Sequence, residues 1–176
     1  MSDTASASPH GELIEPATVR MERMLPGPIE RVWAYLADSD LRAQWLAAGR
    51  MEEKPGVPVT LVWRNDDLSP GEPRPEGRDA EHSMACMVVR AEPPRLLVLG
   101  WGASGSEVTF ELEPRGSEVK FTLTHRRLPS RDMLLGVSAG WHAHVDLLIA
   151  RLGGAAAPPF WSNMTRLRGE YDALLP

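Results

Sequence analysis

The sequence predicts an α+β fold in which a curved antiparallel sheet of about six or seven strands wraps a long C-terminal helix. Two short helices follow the first strand, and an extra helix ends the chain. Three observations carry this prediction. Apolar residues alternate with period 2 from 17 to 25 and again from 57 to 126; they fall at helical spacing between 29 and 49; and the helical period returns from 131 onward.

In ATVRMERML, Val19, Met21 and Arg23 alternate with polar neighbours, which predicts a first strand ended by Pro26, Gly27 and Pro28. In IERVWAYLAD, Ile29, Val32, Trp33 and Leu36 stand at i, i+3, i+4 and i+7, the stripe of a short amphipathic helix. A second helix is expected over SDLRAQWLAAG, with Ser39 or Asp40 as N-cap, Leu41 and Trp45 on one face, and Gly49 as the stop. The strand VPVTLVW then places Val57, Val59, Leu61 and Trp63 on one side. Residues 65–81 hold three Pro, two Gly and six acids, so a long, mobile hairpin loop is expected there. HSMACMVVRA, RLLVLGW, SEVTFELE and EVKFTLTHR continue the sheet as a meander; the last puts Val119, Phe121, Leu123 and His125 on one face. From Arg131, a stripe of Leu134, Val137, Trp141, Val145, Leu148 and Leu152 runs to Gly153 and Gly154, and one face of that helix must be buried. Trp161, Met164, Leu167, Tyr171 and Leu174 predict the last helix, with no evident partner surface.

The chain of 176 residues is long enough for one domain and short for two. Its 43% hydrophobic and 24% charged residues match a globular protein. Residues 1–16 lack a basic start and an apolar stretch, so they read as a disordered tail and not a signal peptide. The main domain is then expected over 17–153, with a helical extension over 154–176. Twenty-four acids face nineteen bases, of which only Lys54 and Lys120 are lysines, and the arginines are scattered singly. That pattern lacks the basic footprint of nucleic-acid or anionic-membrane binding. No apolar run approaches the roughly 20 residues of a spanning helix, so no membrane partner is expected. The single Cys86 allows neither an internal disulfide nor a Cys-based zinc site, which suits a reducing cytoplasm. No metal or other cofactor is expected. His142 and His144 are two apart on a helix and cannot share one metal, and His142 is expected to pair with Asp146 at the surface. Six of the eleven aromatics are Trp, so the positions of the indoles matter.

Three stretches carry a resemblance to a known family. LPGPIERVWAYLADSDLRAQWLAA, EPPRLLVLGW, and FTLTHRRLP followed by SAGWHAHVDLLIARLGG resemble, in order and spacing, the activators of heat-shock-protein-90 ATPase and their homologues. That family lies within the START and birch-pollen-allergen-like (SRPBCC) superfamily of helix-grip folds. The resemblance covers roughly residues 17–153. It implies a cavity between sheet and long helix that accepts apolar or amphipathic small molecules.

The residues support that implication in part. Trp63, Met84, Trp101, Phe110, Phe121, His125 and Trp141 are the candidates to enclose a hydrophobic or aromatic ligand; alternatively, several of them merely fill a core. Large indoles favour boundaries where their N–H can be satisfied. His125 could bond a ligand hydroxyl, or it could be a strand-end histidine bonded to protein or water. The expected function is a small-molecule-binding protein. Two alternatives follow from the resemblance: a polyketide cyclase or aromatase using His125 as acid/base, and a co-chaperone or stress-related module that docks on a chaperone. A face around Trp161 and Tyr171 could support a homodimer, or an edge helix closing its own cavity could explain the same spacing.

Overall fold

The structure, a computed structural model, describes residues 8–176. Seven strands form one antiparallel sheet: β1 (Glu12–Glu15), β2 (Thr18–Pro26), β3 (Pro58–Trp63), β4 (His82–Glu92), β5 (Leu96–Trp101), β6 (Ser106–Arg115) and β7 (Glu118–Arg126). Their spatial order is β1-β2-β7-β6-β5-β4-β3, so the first strands close onto the last by the β2–β7 pairing. Helices α1 (Ile29–Ala37) and α2 (Ser39–Ala43) follow β2, α3 (Arg131–Gly153) crosses the inner face of the sheet, and α4 (Phe160–Leu174) packs on α3. The predicted α+β architecture with its long helix is the one observed.

The alternation read in the strands corresponds to burial. Val19, Met21 and Leu25 of β2, Val59 and Leu61 of β3, and Val119, Phe121 and Leu123 of β7 are all at most 2% exposed. Removing that apolar area from water supplies the main driving force for closing the helix onto the sheet. The bounds of α3 follow from its caps. The Ser130 side chain accepts from the Met133 N–H, and Gly154 takes the left-handed conformation that ends the helix.

Several expectations need correction. Residues 8–16, expected in a disordered tail, include β1, whose residues pair with Thr18–Arg20; residues 1–7 lie outside the described residues. Helix α2 ends at Ala43, not near Gly49, and its N-cap is Asp38, which accepts from the Leu41 N–H. Its early stop is the work of Arg42. That guanidinium is 2% exposed and donates to the carbonyls of Leu36, Ala37, Ala47 and Gly49, so it folds the following turn around itself. The 65–81 segment is anchored at its start: Leu68 and Ser69 are buried, the Leu68 carbonyl accepts from the Phe160 N–H, and Ser69 Oγ accepts from the Trp161 N–H. Finally, α3 has 23 residues and is apolar enough by length and composition to cross a membrane, although no single run suggested it. Its position between sheet and α4 accounts for that apolarity, because side chains on both sides of it are buried.

The last helix finds its surface on α3. Trp161 and Tyr171 are 6% and 0% exposed, so the face considered for a homodimer is spent within the chain. His142 is likewise buried and not at the surface: Nδ1 lies 2.9 Å from the Tyr171 hydroxyl, and Nε2 is 3.7 Å from Asp146.

Candidate functional site

The sheet and α3 bring a row of aromatic rings together at one end of the grip. Trp63 ends β3 and Trp101 ends β5, with β4 between them, and their rings meet edge to face at 5.6 Å. Trp101 in turn lies 5.1 Å from Trp141 of α3. Val137, Gly140, Trp141 and His144 stand at i, i+3, i+4 and i+7, so a single face of α3 looks toward these strands.

Between them is an inner cavity of about 150 Å³, walled by Trp63, Met84 and Trp101 on the sheet side and by Gly140, Trp141 and His144 on the helix side. An outer cavity of about 290 Å³ shares Trp63, His82, Gly140 and His144 with it. It reaches past Trp161 and Met164 to Asn65, Arg78 and Asp79 of the 65–81 segment. The two adjoin and make one open cleft, apolar around Trp101 and Trp141 and more polar beside the 65–81 segment. Gly140 holds it open, because a Cβ there would have no atom within 4 Å. Larger depressions of about 510 and 520 Å³ lie outside the grip and include exposed charged side chains such as Glu12, Glu111 and Glu113.

Of the seven predicted site residues, four line the inner cavity: Trp63, Met84, Trp101 and Trp141. Phe110 and Phe121 do not. They are at most 1% exposed, pack on one another at 6.1 Å, and fill the interior beneath Trp141. His125 also lines neither cavity. Its Nδ1 accepts a hydrogen bond from the Trp141 indole N–H at 3.0 Å, which places the imidazole proton on Nε2, an atom with no partner among the described residues. Loss of solvent pulls its pKa down to about 4, so it is neutral at physiological pH.

The two-residue spacing of His142 and His144 speaks only against a shared metal and does not mark His144 as a site residue. The signal lay in the Gly140–His144 pair, one turn apart and alongside the Val137–Trp141 stripe. His144 Nδ1 donates to the Trp45 carbonyl at 2.7 Å, which leaves the Nε2 lone pair free. Its ring packs against Phe160 at 4.3 Å, and burial lowers its pKa to about 4. Nε2 has no partner among the described residues and is not sealed from the cleft that His144 lines.

The indoles divide in the same way. Trp33 donates to Glu53, Trp45 to the Tyr35 carbonyl, Trp141 to His125 and Trp161 to Asp66. Trp63 and Trp101, which both face the inner cavity, find no acceptor among the described residues. No group of three or more His, Cys, Asp or Glu among the described residues could hold a metal ion. Cys86 is buried, and burial raises its thiol pKa.

Residues 26–153 match the family described as Activator of Hsp90 ATPase homolog 1-like protein. The chain belongs to that family. No curated protein matches it. Among solved structures, it is similar to the protein encoded by gene BPP1335 of Bordetella parapertussis, with 41% identity over 99% of this chain and 96% of that one and a TM-score of 0.81. CalU16 of Micromonospora echinospora shares 21% identity, over 89% of this chain and 87% of that one, with a TM-score of 0.64. DynU16, titled a putative protein in the dynemicin biosynthetic locus, shares 19% over 82% of this chain and 50% of that one, with a TM-score of 0.63. The last two likenesses bear on the fold alone. The helix-grip, SRPBCC-like architecture of the Activator of Hsp90 ATPase homolog 1-like family is thereby established for this chain.

Proposed function

We propose that this protein binds a small hydrophobic or aromatic molecule in the cleft between α3 and strands β3 to β5. The observation that carries the proposal is the open space at the half-buried Gly140, in an apolar groove walled by Trp63, Trp101 and Trp141. A cavity of order 150 Å³ accepts a benzene-sized ring, and the outer compartment gives room for a larger molecule. A buried free thiol is compatible with a reducing compartment such as the cytoplasm. The geometry does not favour a cyclase in which His125 is the acid/base, because that imidazole sits behind Trp141 and away from the cleft. A chaperone partner follows from the family's name, whereas the cleft favours a small ligand.

Titration with a panel of fused-ring aromatics and fatty acids, read by tryptophan fluorescence and melting temperature, tests this. Quenching and a raised Tm are expected for some members, and Gly140→Leu should abolish both while leaving the protein folded. No response across the panel, or unchanged binding by Gly140→Leu, would count decisively against it.

A further inference from the structure

We propose that His144 recognises the ligand, and that the ligand is an aromatic molecule carrying a hydroxyl whose O–H donates to His144 Nε2. This rests on the small-molecule reading above and deepens it. The Nδ1–H to Trp45 carbonyl bond fixes the tautomer, so the nitrogen left to the cleft is an acceptor and not a donor. The ring is 6% exposed and clamped by Phe160, so it offers that lone pair in one orientation. Leu46, Val137 and Gly140 beside it supply no hydrogen-bonding side chain, and the other imidazole of the cavity, His82, is exposed at the start of β4 against Trp63, unlike the buried His144.

An acceptor in an apolar pocket selects for a donor, because a ligand without one leaves the nitrogen desolvated and unpaired. The same cavity contains Trp63 and Trp101, whose N–H donors have no acceptor among the described residues. A hydroxyl suits such a site, since it donates one hydrogen and still accepts through two lone pairs. The indole walls favour an aromatic frame for it through offset or edge-to-face ring contact.

The test compares 2-naphthol with 2-methoxynaphthalene, which has the same ring and no donor, by isothermal titration calorimetry. The intact protein should prefer the naphthol by about tenfold, the net worth of one hydrogen bond. His144→Asn keeps an amide N–H for the Trp45 carbonyl and removes the distal acceptor; it should bind both probes within about twofold of each other. The intact protein also permits a test without a variant: the Nε2 ¹⁵N resonance of His144 should move on addition of 2-naphthol and stay in place with the ether. Equal affinity for the two probes, a preference that survives His144→Asn, or an unmoved resonance overturns the assignment and leaves the cleft as an apolar binding site. If neither probe binds, the assignment falls, while the reading beneath it falls only if the wider panel also gives no response.

Discussion

The indole N–H of Trp141, in the middle of α3, donates to Nδ1 of His125 at the end of β7 across 3.0 Å, with His125 fully buried. This is a side-chain hydrogen bond between the long helix and the sheet, and it lies under the floor of the cleft. Trp141→Phe keeps most of the ring packing but leaves a buried nitrogen without its donor. A loss of about 1–3 kcal/mol in urea unfolding is expected. His125→Leu combined with Trp141→Phe should cost less than the sum of the two single changes. Strict additivity would mean that the pair contributes nothing as a pair.

Arg42 is a second buried polar centre, and it acts on the backbone. Its guanidinium serves four carbonyls in and around the α1–α2 corner, and burial lowers its pKa to about 10, so it remains charged at neutral pH. A lysine carries the charge but cannot reproduce the planar fork. Arg42→Lys should therefore destabilise the protein by about 2–4 kcal/mol, with the loss of at least two charge-assisted bonds. A loss within about 0.5 kcal/mol would show that water replaces the guanidinium at those carbonyls.

How much of this was legible in the sequence depended on the range of the interactions involved. Strands β2 to β7 and helix α3 are written in local period and local caps, and their observed bounds fall within one or two residues of the spacing. Strand β1 has only four residues in an exposed pattern. It is held by β2 and by a contact from Gly11 to Tyr171, 160 positions away, so no local signal marks it. The overrun of α2 has the same origin, since propensity cannot report where a buried arginine will find its acceptors. In the site, Trp63, Met84, Trp101 and Trp141 were readable as inward-facing positions. His144 was not, because its tautomer depends on a carbonyl 99 positions away and its place in the cleft depends on a glycine one turn earlier.

Three histidines make stability depend on pH in a definite direction. Desolvation holds His125 and His144 down to about 4 and His142 to about 3, the last also pushed by Arg23, His10 and Arg166 against the opposing pull of Glu170. The unfolded chain, with ordinary values near 6.5, binds protons that the folded chain refuses. The stabilisation is complete above pH 6.5 and is lost as pH falls from there toward 4. Between pH 7.5 and 5.5 each histidine should cost roughly 1 kcal/mol. Urea midpoints at those two values, with ring shifts of His125, His142 and His144 that stay constant between them in the native state, would bear this out. A midpoint independent of pH, or any of these three rings titrating near 6.5, would refute it.

The N-terminal segment and α4 are joined through one hydroxyl. Tyr171 Oη accepts from the Gly11 N–H at 2.7 Å and lies 2.9 Å from His142 Nδ1. With the imidazole neutral and Nε2 directed at Asp146, the phenol proton is donated to Nδ1, so the hydroxyl both donates and accepts. Burial raises its pKa to about 12, which keeps that proton in place. Tyr171→Phe preserves the ring, which is fully buried, and deletes both bonds. The orphaned Gly11 amide and His142 nitrogen then cost about 1–3 kcal/mol, concentrated where the first strand meets the last helix. Hydrogen exchange should locate the effect: faster exchange at Gly11 and through Glu12–Glu15, and unchanged protection in β5 to β7, where no partner has been lost. Uniformly faster exchange across the sheet would instead mean that the hydroxyl supports the whole fold. Unchanged exchange at Gly11 would mean that the amide does not depend on Tyr171.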